Sequence, residues 1–264
     1  MSNRVASKTI MAANLFLGLL AVGSISSQAG AEQRSYPFIA GASSAQTQPS
    51  TTSRPKPANF LGEPASSEAR QVADWVLGTS DNRGSPFVIV DKKSAKVFVF
   101  DDEGRLLGAT PALLGSALGD DSAPGIGDRK LSDIPQEERT TPAGRFEATL
   151  GRDLSKQDVL WVDYDAALAL HRLLAANVKE RRRMQRIATA SPLDKRITFG
   201  CIEVPAKFYE SVVHPTFAGT RGIVYILPEI RSILEVFFTA ANPSAAENRR
   251  LTADSPAAMG ATSL

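Results

Sequence analysis

Short apolar runs rich in β-branched and aromatic residues recur along the chain from Pro86 onward. The runs 87–90 and 96–100 flank a turn-prone stretch at 91–95, and this arrangement predicts a β-hairpin. Five later runs of the same kind predict further strands, at residues 105–109, 145–150, 159–163, 196–199 and 222–227. Many short strands with long polar connections are typical of a mainly antiparallel β domain with a few helices.

Helical spacing of apolar residues occurs in only a few places. Ser66 and Ser67 predict the start of a short helix that ends before Gly78. Three further helices are predicted at 178–188, 205–213 and 229–238. The basic run 181–183 is interpreted as the solvated face of the first of these. Residues 115–142 show almost no periodicity, which predicts a long flap that faces a substrate.

The two ends of the chain differ from the predicted β domain. Residues 1–31 combine a positive start, a short apolar core at 10–22 and a small-residue end at Ala29-Gly30-Ala31. This pattern predicts an export signal cleaved after Ala31, and hence a periplasmic protein. An uncleaved N-terminal anchor is the alternative, but the apolar core is shorter than the roughly 20 residues of a spanning helix, so no stable membrane span is expected.

Composition completes the predicted organisation. The Ser-, Thr- and Pro-rich residues after the signal, and the small and polar residues at the end, bury too little apolar area to offset their ordering entropy. The chain is therefore divided into a signal peptide at 1–31, a disordered linker at 32–65, a helical lead-in at 66–84, the main β domain at 85–228, a C-terminal helix at 229–241 and a disordered tail at 242–264.

Net charge excludes one class of function. The 264 residues include 30 Lys+Arg and 28 Asp+Glu. Arg4 and Lys8 are the only charged residues of the first 31, so 28 residues of each sign remain. A neutral remainder argues against nucleic-acid binding, which draws most of its affinity from clustered cations.

The chain has one cysteine, Cys201, and two histidines, His171 and His214. A lone cysteine is either a small buried hydrophobe or a nucleophile without a partner that could oxidise it, and a nucleophilic thiol needs a base nearby. His214 follows a predicted helix and is interpreted as a structural cation near its C-terminus. The segment before His171, residues 166–170, fits a helix or a strand. So few candidate ligands predict no metal site, and no cofactor is expected.

The surroundings of Cys201 favour the nucleophile. Gly200 and Cys201 follow the predicted strand 196–199 and precede a predicted helix. A thiol at such a strand–turn–helix junction lies at an edge, and the glycine lets a substrate carbonyl approach the backbone closely. Free backbone N–H groups there can receive a developing oxyanion.

Three ordered motifs together resemble one known family. The sequence runs Thr-Thr-Pro-Ala-Gly-Arg-Phe at 140–146, then His171, then Ile-Thr-Phe-Gly-Cys-Ile-Glu-Val at 197–204. These motifs resemble those of the L,D-transpeptidase family, or YkuD domain, over residues 86–228. The resemblance implies a YkuD-like β-sandwich catalytic domain that acts on peptidoglycan stem peptides and reacts with carbapenem inhibitors. It also implies that Cys201 is the nucleophile and His171 the general base.

The resemblance further implies that Thr198 and Gly200 position the imidazole or hold the oxyanion. Phe199 stands where the family has a second histidine, and Glu203 stands where it usually has arginine or asparagine. A carboxylate near Cys201 disfavours the thiolate unless a cation neutralises it, for which Arg196 and Arg145 are the candidates.

The leading prediction is an exported cysteine L,D-transpeptidase that cross-links, exchanges terminal D-amino acids or attaches a protein. One alternative is a hydrolase of the same fold, an L,D-carboxypeptidase or amidase type. The other is a catalytically degenerate wall-binding module, which the bulky Phe199 and acidic Glu203 favour and the retained Cys201 and His171 disfavour.

Overall fold

The computed structural model describes residues 56–174 and 177–238. Within them the strands are β1 (Phe87–Asp91), β2 (Lys96–Phe100), β3 (Leu106–Pro111), β4 (Leu114–Gly115), β5 (Gly144–Arg152), β6 (Asp158–Asp163), β7 (Leu168–Leu173), β8 (Arg196–Thr198), β9 (Ile202–Pro205) and β10 (Arg221–Ile226). Eight form one sheet in the order β3-β2-β1-β10-β5-β6-β7-β9, and β4 pairs with β8. Most neighbours are antiparallel, whereas β1–β10, β7–β9 and β4–β8 are parallel. The predicted fold class, mainly β with a few helices, is confirmed.

The two ends of the eight-stranded sheet meet. Leu113, two residues after β3, and Glu203 of β9 exchange backbone hydrogen bonds of 2.8 and 2.9 Å. The sheet therefore curls until it is nearly closed, and both of its halves contribute side chains to one core, as in a sandwich. Its members include Val88, Val97, Ala148, Leu160, Leu170, Ile202 and Val224.

Strands β1, β2 and β10 are buried on both faces. Their outer faces pack against α1 (Ser67–Thr79) and Phe237 in a second cluster, which includes Phe87, Ile89, Phe98, Phe100 and Tyr225. A strand that is covered on both sides needs apolar residues at every position. This double burial explains why β1 and β2 form nearly continuous apolar runs, and the cluster attaches the lead-in helix to the sheet.

The helices mostly match their predicted positions. Ser66 caps α1 by accepting a hydrogen bond from the backbone N–H of Ala69. Helix α2 (Val178–Ile187) lies on the β7 side of the sheet. The predicted helix 205–213 is longer than expected, because α3 (Ala206–Phe208), a π-helical turn (Tyr209–Val213) and α4 (His214–Phe217) follow without a break. His214 thus lies inside a helical segment rather than at its end. No helix among the described residues is long and apolar enough to cross a membrane.

Two predicted boundaries are wrong within the described residues. Residues 56–65 were predicted to belong to the linker, yet Asn59 pairs with Arg105 and Phe60 is buried against the rings of Phe98 and Phe100. Backbone hydrogen bonds of Asn59 and an ion pair between Glu63 and Lys96 also hold this stretch against the sheet. The helix predicted from residue 229 begins later, with a π-helical turn at Leu234–Phe238.

The later start follows from a capping box at Ser232. Its Oγ accepts a hydrogen bond from the backbone N–H of Glu235, and Oε2 of Glu235 accepts one from the N–H of Ser232, so the helical turn begins after Ser232. The residues before it, 229–231, donate their backbone N–H groups to the carboxylate of Asp120. The signal peptide at 1–31, most of the linker, the last three residues of the C-terminal helix at 229–241 and the tail at 242–264 lie outside the described residues.

Candidate active site

Cys201 lies in a tight turn between β8 and β9. The prediction that a helix follows this turn directly is wrong, since β9 comes first and α3 begins only at Ala206. The reason is that Ile202 and Val204 alternate into the inner core while Glu203 faces the other way, which is a strand pattern. The thiol is half-buried, and its Sγ lies 3.5 Å from the backbone oxygen of Ala167.

Thr198 and Gly200 hold the turn from within. The buried hydroxyl of Thr198 donates to the backbone oxygen of Cys201 at 2.7 Å and accepts from the N–H of Gly200 at 3.2 Å. Gly200 has φ +135, and a Cβ there would lie 2.8 Å from the backbone oxygen of Thr140. Glycine is therefore required by its backbone conformation and by this contact.

The Thr-Pro element of the sequence meets the same turn. Thr141 is fully buried, and its hydroxyl donates to the backbone oxygen of Gly200 at 2.7 Å and accepts from the N–H of Gly115 at 2.9 Å. Thr141 therefore ties both ends of the 115–142 segment to the cysteine turn. Sequence reasoning did not assign a role to Thr141, although it belongs to the first quoted motif.

His171 lies on β7, which settles the open choice between helix and strand. In the parallel pair β7–β9 its Cα partner is Glu203. Its Nδ1 is 3.4 Å from the backbone oxygen of Arg172, and its Nε2 is 3.9 Å from Oε1 of Glu203. Burial disfavours the charged imidazole, but hydrogen bonding to Cys201, the charge of Cys201 and the charge of Glu203 outweigh it and raise the pKa of His171 above its usual value of 6.5. The structure thus brings His171 and Cys201 together.

Glu203 is neutralised by a residue that sequence reasoning missed. Arg183 of α2 donates to Oε1 of Glu203, so one member of the basic run 181–183 faces inward rather than solvent. Burial raises the pKa of Glu203, while the charges of His171 and Arg183 act in the opposite direction. A usable signal was the four-residue spacing from Arg183 to the buried Ile187, which places both on the inner face of the helix.

The two cations predicted to face Glu203 lie elsewhere. Arg196 pairs with Glu229 and donates to the backbone oxygen of Gly115, because β8 pairs with β4 and not with β9. Arg145 pairs with Asp81 at 2.6 Å. The prediction that either arginine neutralises Glu203 is wrong.

A cavity with about 470 Å³ of empty volume, partly open to solvent, adjoins the thiol. Its lining combines the cysteine turn with residues of the 115–142 segment and of the turn that leads into β7: Ile126, Arg129, Leu131, Thr140, Ala167, Phe199 and Cys201. The ring of Phe199 forms one wall, and the guanidinium of Arg139 lies 4.1 Å from its centroid. Phe199 therefore adds an aromatic ring to the cavity wall, and Arg139 places a positive charge beside that ring.

This arrangement supports nucleophilic chemistry at sulfur. A half-buried thiol beside an imidazole can pass its proton to the ring and attack an electrophile held in the cavity. The backbone oxygen of Arg172 lies 3.4 Å from Nδ1 of His171 and favours a proton on that nitrogen. Among residues 56–174 and 177–238, no three His, Cys, Asp or Glu side chains are grouped as ligands for a metal ion.

No family model matches the chain, and no curated protein matches it. Parts of the structure are similar to solved L,D-transpeptidases. The one from Mycobacterium tuberculosis H37Rv is 16% identical, with 54% of this chain and 57% of that chain covered and a TM-score of 0.33. The L,D-transpeptidase LdtMt1 in complex with imipenem is 13% identical, with 54% and 59% covered and a TM-score of 0.33.

The helical cell shape determining protein Pgp2 from Campylobacter jejuni is also similar. It is 16% identical, with 56% of this chain and 49% of that chain covered and a TM-score of 0.36. The chain thus spans between 49% and 59% of the length of these three proteins.

Proposed function

We propose that the protein is a cysteine acyltransferase of the L,D-transpeptidase type that acts on peptidoglycan stem peptides through a thioester. The observation that carries the proposal is that Cys201, in the turn between β8 and β9, meets His171 of β7, with a cavity adjoining the thiol. The ordered motifs at 140–146, 171 and 197–204 support it, because their residues build this one turn and its contacts.

The proposed reaction proceeds in two transfers. His171 takes the thiol proton, and the Cys201 sulfur attacks the carbonyl carbon on the L-centre of the third stem residue. The oxyanion forms at the turn, where the N–H of Gly200 already donates to Thr198, so we assign the oxyanion to the backbone N–H of Cys201. Collapse breaks the peptide bond, and the leaving D-alanine amine takes the proton from His171. An acceptor amine, or water, then attacks the thioester, gives its proton to His171 and restores the thiol.

The cavity also supports a stem peptide as the substrate. Its lining is largely apolar, with Arg129 as a cation that can meet a carboxylate of the peptide. Because Arg129 also pairs with Glu138, a bound carboxylate competes with that ion pair. We further propose that residues 1–31 direct export to the periplasm, where such peptides occur, and cell fractionation of the full chain tests this placement.

Incubation with a carbapenem, followed by intact-mass measurement, tests the proposed nucleophile. We expect a covalent adduct with the unchanged protein and none with Cys201→Ala. The His171→Ala variant should react about 10²- to 10⁴-fold more slowly, because it loses the base. His214→Ala is the matched control, since His214 lies on α4 and is not part of the cavity lining, and it should react like the unchanged protein.

The reaction itself is tested with tetrapeptide-bearing wall fragments, with and without an acceptor amine. Release of D-alanine with transfer to the amine supports the transpeptidase, whereas release with water alone as acceptor favours the hydrolase. No adduct and unchanged fragments would refute the enzyme and favour a wall-binding module.

A further inference from the structure

Four groups form a row from the cysteine turn to helix α2. The thiol of Cys201 interacts with the imidazole of His171, whose Nε2 lies 3.9 Å from Oε1 of Glu203. The same oxygen accepts a hydrogen bond from the guanidinium of Arg183. After the thiol proton has passed to His171, the four groups are, in order, a thiolate, an imidazolium, a carboxylate and a guanidinium. Each charge then has a neighbour of opposite sign.

Glu203 is buried, so the charge state of its carboxyl group depends on the groups beside it. Its side chain is 9% exposed, and its Oε2 is buried with no hydrogen-bond partner among the described residues. A carboxylate in such a place takes up a proton unless nearby cations stabilise the ionised form. The cations in contact with it are His171 and Arg183. Its ionisation is therefore coupled to both.

The backbone holds this row in register. Glu203 is the Cα partner of His171 in the β7–β9 pair, and on its other side it exchanges two backbone hydrogen bonds with Leu113. Helix α2 is fixed by Met184 and Ile187, which pack in a cluster with Leu113. Because the backbone of Glu203 is bonded on both sides and helix α2 packs against the same region, the Glu203 carboxylate is held next to the imidazole of His171.

We propose that Glu203 is a positioning residue that holds the imidazolium of His171 opposite Cys201, and that Arg183 keeps the Glu203 carboxylate ionised. The inference rests on the proposed function, in which His171 is the base. Glu203 and Arg183 exchange no proton in this scheme. The proton that moves passes between Cys201 and His171.

Other charged groups face the same pair. The opening beyond His171 has an empty volume of about 630 Å³ and is also lined by Asp153, Arg172 and Glu180. The charge of Glu180 raises the pKa of Glu203, and Arg172 forms ion pairs with Asp158 and Glu210. Because these groups also influence titration of the site, the test must change Glu203 and Arg183 individually.

The first test is an NMR titration of the His171 imidazole in the full chain. A Cys201→Ser background removes the thiol titration, and His214→Gln removes the other imidazole signal. We expect Glu203→Gln to move the His171 midpoint to lower pH, because the imidazolium loses its neighbouring negative charge. In the chain that keeps Cys201, alkylation by iodoacetamide at neutral pH should slow by about tenfold, the low end of the effect of one nearby opposite charge.

The second test addresses Arg183. We expect Arg183→Ala to produce the infrared band of a protonated carboxyl group near neutral pH, and this band should be lost in the Arg183→Ala/Glu203→Gln double variant. Arg183→Lys keeps the positive charge and should lack the band. Arg182→Ala is the matched control, because Arg182 is exposed on the same helix, and it should leave the spectrum and the alkylation rate unchanged.

An unchanged midpoint and alkylation rate in folded Glu203→Gln would overturn the inference and leave the proposed acyl transfer standing. If Glu203→Gln does not fold, Arg183→Ala carries the test: a protonated carboxyl group supports the inference and its absence overturns it. A moved midpoint in a protein that transfers no acyl group would support the pair and refute the proposed function.

Discussion

Replacing Thr141 by valine should destabilise the fold and disturb the cysteine turn. Valine has nearly the same shape as threonine, so the change removes one hydroxyl group and leaves the packing. That hydroxyl serves the backbone oxygen of Gly200 and the backbone N–H of Gly115. Both groups would stay buried without a partner, because Thr141 itself is fully buried.

The expected magnitude follows from these two lost contacts. Each buried polar group left unpaired costs about 1–3 kcal/mol, so the free energy of unfolding should fall by roughly 2–6 kcal/mol. For a domain of this size, 1 kcal/mol corresponds to about 2–4 °C in Tm. Thermal and denaturant unfolding measure the loss, and iodoacetamide alkylation of Cys201 reports on the turn.

Thr140→Val is the matched control. The Thr140 hydroxyl donates to the backbone oxygen of Asp121 at 2.6 Å at an exposed position, where water can replace it, so the cost should stay below about 1 kcal/mol. Thr141→Ser keeps the hydroxyl and should retain the alkylation rate. Equal losses in Thr141→Val and Thr140→Val would refute the reasoning that Thr141 locks the cysteine turn.

Two further predictions concern Asp120, in the 115–142 segment, and Gly200, in the cysteine turn. Asp120→Asn should cost about 1.5–3 kcal/mol, the range for a hydrogen bond to a charged group, since it removes the negative charge 2.8 Å from the buried Lys92 and leaves Glu229, at 3.6 Å, as a second carboxylate partner. Asp121→Asn at an exposed site should change stability by less than about 0.5 kcal/mol. Burial opposes ionisation of Asp120, but backbone N–H donors and Lys92 outweigh it and lower its pKa, so its contribution is present above the unfolded value and lost as pH falls through the folded value. Denaturant unfolding from neutral to acid pH should therefore show the two proteins converging, and a constant difference would contradict this. Gly200→Ala should lower stability by more than about 1 kcal/mol and slow alkylation, whereas Gly125→Ala, with φ +64 and open space around it, should leave alkylation unchanged; equal effects on alkylation would rule out the proposed contact.

The local sequence pattern predicted where strands and helices lie better than it predicted what they pack against. The runs at β1 and β2 were evident because both faces of these strands are buried. The buried face of α2 was missed, since a basic run hides the one arginine that turns inward. The packing of Phe60 was missed because it is a lone aromatic residue in a polar, proline-containing stretch that has no periodic pattern.

Long-range pairing lay beyond the sequence pattern. His171 and Glu203 are register partners across a parallel strand pair, which no local spacing reveals. Arg196 was one of two candidate cations for Glu203, yet β8, which carries Arg196, pairs with β4, whereas β9, which carries Glu203, pairs with β7. Only the ordered motifs indicated that His171 and Cys201 belong together.

Strand β10, the last strand of the described residues, lies near the middle of the sheet, between β1 and β5. It pairs with β1 on one side and with β5 on the other, so among the described strands it connects the hairpin of β1 and β2 to the meander of β5, β6 and β7, while the Leu113–Glu203 bridge joins the far edges of the sheet. A chain cut before Arg221 would keep the Leu113–Glu203 bridge but lose the strand between β1 and β5, and the β1–β10 pairing, which joins residues of such long sequence separation, should form slowly.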